Sequence, residues 1–351
     1  MGFVTVPMQL DLTSISSTSA GALIGSAIGD TLAMPVHWYY NTAALASDYG
    51  EVRDFIDPKS PHPDSILWRS SYTPLNETGE ILHDQAEFWG KRGIHYHQNL
   101  AAGENTVTLQ LANLLQESLL SSDGYDADDY LSRYIDFMTT PGSHRDTYLE
   151  ECHRGFFQNY ARGEDPRRCG IQEKHIGGLA GIIPLAVWYQ NDPALAHESA
   201  HEHLSLTHPG KGMADSASLI LDILIPVLQG GDLFETIRGL HTRQVSPLLG
   251  FSLDKLLKLK DTDVIGPFFS PACYVDDSVP STIYLAAKYH ERPEAGLIAN
   301  TNLGGDNVHR GAILGALLGA GNGYGTFPER WTAGLVERPP LLSDYSPSDE
   351  R

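Results

Sequence analysis

Two stretches of this chain carry glycine at every fourth position. Gly21, Gly25 and Gly29 lie in one small apolar run, and Gly311, Gly315 and Gly319 repeat the spacing near the other end. In a helix a four-residue step returns to nearly the same face, so each run bares a stripe of backbone. Glycine costs a helix interior about 1 kcal/mol relative to alanine, so three in a row need a compensating contact. A close crossing of the two helices would supply it, and would bring the loops at their ends together.

The rest of the chain supports an all-α fold. Val107, Leu111, Leu114, Leu115 and Leu119 keep helical spacing, and so do Leu179, Ile182, Ile183, Ala186 and Val187. Met213, Ala217, Ile220, Leu221, Leu224 and Leu228 form another apolar stripe. Asp192-Pro193 reads as an N-cap followed by proline at the first helical position. Helices are also expected over Pro280–His290 and Val308–Ala320. Strand-like alternation is confined to short pieces such as Gly93–Gln98. Asp57–Glu80, rich in Pro, Ser and Asp, is expected to be an irregular surface excursion. The organisation expected is an N-terminal extension over 1–18, a single domain over 19–335, and a flexible tail over 336–351.

Charge and cysteine usage exclude several functions. The 351 residues hold 44 acidic against 24 basic side chains, a formal charge of −20, which disfavours nucleic acid and anionic membrane surfaces as partners. Three scattered cysteines, Cys152, Cys169 and Cys273, suggest neither a disulfide framework nor a thiolate zinc site. The stretch Met1–Asp11 has no cationic segment ahead of an apolar run, and no stretch of about 18 apolar residues could span a bilayer. A cytoplasmic protein is expected.

Four loops gather chemistry-bearing residues. The first glycine helix ends in Asp30, followed by Met34-Pro35-Val36-His37. The second is preceded by Gly304-Gly305-Asp306-Asn307-Val308-His309-Arg310, where Asp306 also suits an N-cap. His95 and His97, if extended, would share one face shortly before Glu104-Asn105-Thr106. Tyr274-Val275-Asp276-Asp277-Ser278 adds adjacent aspartates that can ligate a cation or act as a base.

Gly21 to Asp30 with Met34-Pro35-Val36 resembles the opening helix of the ADP-ribosylglycohydrolase family, and Gly304-Gly305-Asp306 with Gly311–Ala320 resembles its closing signature. Gly177–Leu185, Leu206-Thr207-His208-Pro209 and Tyr274–Leu285 are similar to motifs between them, so the resemblance spans roughly residues 19 to 325. It implies a compact multi-helix bundle with the cleft where these loops converge, a ribosyl-type small-molecule substrate, and a pair of magnesium ions. It also places His208 near the substrate. The departures fall in the catalytic loops. Glu104-Asn105-Thr106-Val107 stands where the family has Thr-Asp-Asp-Thr, and Asp306-Asn307-Val308-His309 where it has Asp-Thr-Asp-Thr. His37 replaces a glutamate, and Gly178–Ile183 lacks the arginine of a phosphate loop.

The expectation drawn from these residues is hydrolysis of an N- or O-glycosidic bond to ribose or an ADP-ribose-like group by paired carboxylates. Glu104, Asp306, Asp277 and Asp30 are the candidate acid and base. His95, His97, Asn105, His208, Asp276, Asn307, His309 and Arg310 are the candidate substrate contacts. No cofactor is expected, the alternative being magnesium at a degraded site formed by Asp30, Glu104, Asp276, Asp277 and Asp306. A competing reading is a catalytically silent small-molecule-binding or structural, crystallin-like member of the same fold. His197-Glu198-Ser199-Ala200-His201 matches H-E-x-x-H, but no further ligand follows at the expected spacing, and a solvated helix explains it. The glycine spacing is not that of a dinucleotide fingerprint, and His153 and His175 read as packed histidines.

Overall fold

The computed structural model describes residues 15–346. The expected extension over 1–18 and tail over 336–351 therefore lie partly outside the described residues. The core is built from helices α1 (Ser17–Ala33), α2 (Val107–Ser122), α3 (Ala127–Thr139), α4 (Glu151–Ala161), α5 (Ile182–Trp188), α6 (Pro193–Thr207), α7 (Lys211–Leu228), α8 (Leu233–Arg243), α9 (Val275–Lys288), α10 (Pro293–Asn302) and α11 (Asn307–Asn322). Among the described residues there is no strand, only isolated bridges such as His175 with Tyr274. No described helix is long and apolar enough to cross a membrane.

The two glycine helices are the centre of the bundle. Both are buried on every side, from Ser19 to Ala33 in α1 and from Asn307 to Ala320 in α11. They cross antiparallel, with Gly21 against Gly319, Gly25 against Gly315 and Gly29 against Gly311. A β-carbon added at Gly25 would sit 2.2 Å from the Gly315 carbonyl oxygen, and one at Gly315 would sit 1.9 Å from that of Gly25. The glycines are thus the condition for the approach. The antiparallel crossing sets the C-terminus of α1 beside the N-terminus of α11, and α5, α7, α9 and α10 pack around the pair.

Local signals place the helix starts. Ser16 caps α1 by accepting from Ser19 N–H, Asp126 caps α3, and Asp192 caps α6 ahead of Pro193. Two expectations fail. Gly93–Gln98 forms turns rather than a strand, because its backbone is tied to other loops, with Gly93 accepting from His62 N–H and Tyr96 from Thr147 N–H. The expected flexible tail is folded at least to 346: Leu341 and Leu342 are buried, and Leu341 N–H donates to Gln116 Oε1. Apolar burial outweighs the prolines there.

Candidate active site

Backbone geometry first fixes Asp306. Gly304 and Gly305 both have φ of 65°, and β-carbons there would meet the carbonyls of Tyr39 and Pro271 at 2.2 Å. This turn pairs Gly305 with Trp38 and Tyr39 through two hydrogen bonds of 2.9 and 2.7 Å, and lets Asp306 N–H donate to Pro271. Asp306 then begins α11 without capping it, because its side chain faces histidines instead.

A buried polar chain runs through this point. Asp146 Oδ1 lies 2.5 Å from His97 Nδ1, His97 Nε2 lies 2.7 Å from His37 Nδ1, and His37 Nε2 lies 3.0 Å from Asp306 Oδ1. Asp306 Oδ1 continues to His309 Nδ1 at 2.6 Å, and His309 Nε2 reaches Glu150 Oε1 at 3.1 Å. His97 and His37 thus link the two carboxylates through one ring-to-ring hydrogen bond. Next to it, burial opposes charge on His309, yet Asp306 and Glu150 overcome this and raise its pKa well above the usual range. Burial likewise opposes ionisation of Asp306 and Glu150, but the facing histidines, chiefly His309 for the first and His175 with His309 for the second, hold both carboxyls low. The result is an imidazolium clamped between two carboxylates, a buried pairing whose desolvation is offset by its charge-assisted hydrogen bonds.

Glu150 and His175 also form the floor of a cavity of about 380 Å³ walled by Trp38, Tyr96 and Tyr148, with Glu173 on its side. His175 is tied to the cavity mouth by the hydrogen bonds Ile176 N–H to Cys273 and Val275 N–H to Lys174. Four buried polar atoms here have no hydrogen-bond partner: Trp38 Nε1, Glu173 Oε2, His175 Nε2 and Asp306 Oδ2. His175 Nε2 is 3.5 Å from Glu150 Oε1 and 3.7 Å from Asp306 Oδ2. Unsatisfied buried groups cost about 1–3 kcal/mol each, and a cluster of them around one cavity marks a place made for a polar ligand. Burial pushes the Glu173 carboxyl up, assisted by Glu150, against the pull of His175.

The expected site residues divide sharply. Asp306, His309 and His97 lie in the buried chain. His95 supports it, bonding Pro35 O through Nε2 and accepting from His97 N–H. His208 lines a smaller space that also reaches Glu150. Other expectations are corrected. Glu104 turns outward to Arg145 and Ala101 N–H and lines a separate surface depression with Gln110 and Glu117. Asp30 is sealed, with Asn105 Nδ2 and Thr106 N–H on Oδ1 and Thr106 Oγ1 on Oδ2, so it and Asn105 lock α1 to the start of α2. Asp276 is exposed and pairs with Lys174, and Asp277 stays on the first turn of α9 outside the cluster. Arg310 and Asn307 hold backbone: Arg310 donates to Asn300 and Gly304, and Asn307 to Thr301 and Val36. His197 and His201 bind Asp222 and Ser218 and, among the described residues, converge on no third ligand.

Sequence reasoning missed Asp146, Glu150, Glu173 and Trp38, and took His175 for packing. His37 was visible as a substitution inside a recognisable motif. Trp38 has φ of 60°, a conformation with no sequence signal in a bulky residue.

The histidines give a pH prediction. Burial lowers His37 and His208 to about 3 and His62, His153 and His203 to about 4 from an ordinary 6.5. The unfolded chain binds protons at these positions below 6.5 and the folded protein refuses them, so stability falls as pH drops from 6.5 towards 4. Each contributes on the order of 2 kcal/mol by pH 5. The thermal midpoint should therefore fall steeply between pH 6.5 and 4.5, with uptake of several protons on unfolding. A flat midpoint over that interval in calorimetry would contradict it. Glu150 and Asp306 add to the loss as the pH falls below their ordinary 4.5 and 3.8, where the unfolded carboxyls take up protons and the folded ones, held low, do not.

The family model described as ADP-ribosylglycohydrolase matches residues 12–346. A solved structure described as an "ADP-ribosylglycohydrolase-related protein complex" superposes with a TM-score of 0.61 at 23% identity, covering 93% of this chain and 94% of that one. At that identity the likeness concerns the fold. No curated protein matches.

Proposed function

Because the chain belongs to the ADP-ribosylglycohydrolase family, we propose that it hydrolyses an N- or O-glycosidic bond to a ribose-type sugar, with Glu173 and Glu150 as the working carboxyl pair and no metal pair. The observation that carries this reading is the aromatic cavity in which two of the lining carboxyl groups, Glu173 and Glu150, are driven in opposite directions. Glu173 is held protonated to higher pH by burial, and Glu150 is held ionised by His175 and His309 in spite of burial. Divergent environments of this kind assign an acid and a base.

The magnesium pair of the family does not fit these residues. Magnesium takes oxygen ligands in near-octahedral geometry. Here both Asp30 oxygens face N–H and O–H donors, Glu104 faces Arg145, Val308 is packed against Met34 and Leu100, and the remaining centre is rich in imidazole nitrogen.

In the proposed reaction Glu173 gives its proton to the leaving atom as the bond to the anomeric carbon breaks and its electron pair departs with the aglycone. Glu150, fixed by His309, stabilises the developing oxocarbenium charge. Water adds to the anomeric carbon, and its proton returns to Glu173. Trp38 Nε1 and His175 Nε2 are free to meet sugar hydroxyls. Asp306 and His309 are positioning residues in this scheme.

The test is a leaving-group comparison on purified protein. Glu173→Gln should slow hydrolysis of alkyl or amide-linked ribosides by about 100- to 1,000-fold, and slow a p-nitrophenyl riboside far less, since that aglycone departs without a proton. The wild-type rate should fall as pH rises through the raised Glu173 value, and the variant should lose that limb. Equal losses on both substrates would remove Glu173 as the acid. Binding without turnover of any riboside would favour the silent alternative.

A further inference from the structure

The walls of the cavity specify more than a sugar. Trp38, Tyr96 and Tyr148 form one connected wall, with ring centroids 4.7 Å apart for Trp38–Tyr96, 5.3 Å for Trp38–Tyr148 and 5.4 Å for Tyr96–Tyr148, all T-shaped. Tyr40 and Tyr274, 47% and 56% exposed, stand at the mouth. Large exposed aromatics beside a cavity are contact surface rather than core. Trp38 is held in its left-handed backbone conformation by its N–H bond to Gly305, and strain of this kind in a bulky residue gathers at binding sites.

The walls carry more acids than cations. Glu150, Glu151 and Glu173 line the cavity, against a single cation, the exposed Arg69. Lys174 at the rim is paired with Asp276, and Arg154 lies behind the wall, stacked on Trp89 and Tyr148 and donating to Leu149. The groups that could cradle a diphosphate are committed elsewhere. Gly177 N–H donates to His175 Nδ1 and Gly178 N–H to His175 O, while Arg310 is fully buried against Asn300 and Gly304. A diphosphate needs clustered N–H donors or guanidinium groups, and this cavity offers acids instead.

We propose that the substrate of this site is a small glycoside with a positively charged aglycone and no diphosphate, its cation seated against the Trp38–Tyr96–Tyr148 wall beside Glu151. The inference rests on the glycosidase reading for the sugar end, and on rings and acids alone for the charged end. Ring faces attract ammonium groups, and the Glu151 carboxylate adds to that attraction beside the wall. A cavity of about 380 Å³ suits a ribosyl group with a one-ring or aliphatic amine aglycone.

Binding of choline, of its uncharged carbon isostere 3,3-dimethylbutan-1-ol, and of ADP-ribose, each titrated by calorimetry into the full-length protein, tests this. Choline should bind at least tenfold tighter than the isostere, and ADP-ribose should bind weaker than choline. Glu151→Gln, at an exposed position where folding is not at risk, should weaken choline several-fold and leave the isostere unchanged. Tyr274→Ala should weaken choline as well. Equal binding of choline and isostere, or tighter binding of ADP-ribose, overturns the proposal. Hydrolysis separates it from the reading beneath it. If choline binds as expected and no riboside is cleaved, the glycosidase assignment fails and the cation site stands. If neutral ribosides or ADP-ribose are cleaved as fast as cationic ones, the cation site fails and the glycosidase stands.

Discussion

Replacing Glu150 by glutamine should lower kcat on any riboside the protein cleaves by about a thousandfold while leaving the fold in place. The side chain is nearly isosteric, but the amide cannot supply the negative charge that faces the sugar. It also leaves the His309 imidazolium with one carboxylate in place of two. Glu150 is 7% exposed and borders both the aromatic cavity and the smaller space beside His208. Glu104→Gln is the matched control. Its carboxylate lies on the surface against Arg145, and a surface ion pair is worth about 1 kcal/mol or less, so its activity should stay within about twofold of wild type. Steady-state kinetics on both variants, with circular dichroism to verify folding, decides the matter. Full activity in Glu150→Gln together with a dead Glu104→Gln would return the chemistry to the start of α2.

Gly25→Leu should fail to accumulate as folded protein. Its β-carbon alone would press within 2.2 Å of the Gly315 carbonyl, and no flexible side chain can yield there because the obstacle is backbone. Separating α1 from α11 would also pull apart His37, which follows the Met34–Val36 turn after α1, and Asp306, which begins α11. Gly25→Ala should already cost about 3 kcal/mol, overpacking outweighing the gain of about 1 kcal/mol in helix propensity. Gly239 gives the contrast. It lies inside α8 with nothing within 4 Å of an added β-carbon, so Gly239→Ala should stabilise by about 1 kcal/mol. Chemical denaturation of the alanine pair measures both signs in one experiment, and a stabilising Gly25→Ala would refute the close crossing.

The glycine steps, the apolar spacings and the caps at Ser16, Asp126 and Asp192 act within one or two helical turns, and short-range periodicity exposes them to reading. That is why the all-α architecture, the central crossing and the convergence of the His37 and Asp306 loops were legible before any coordinates. The site was legible only where a residue stood inside such a pattern, as Asp306 and His309 did. Which carboxylate faces inward was not. Glu104 and Glu150 both stand just ahead of a helix, and nothing local distinguishes them. One meets Arg145 at the surface, and the other meets His309 from an element more than 150 positions away. Glu173, Asp146 and Trp38 likewise gain their roles from partners distant in sequence. A pKa, an orphaned hydrogen-bonding atom and a cavity wall are properties of what surrounds a group rather than of the group itself. The sequence determined the scaffold because helix packing is written in repeats; the tertiary structure alone decided the chemistry, because burial and charge pairing act through space.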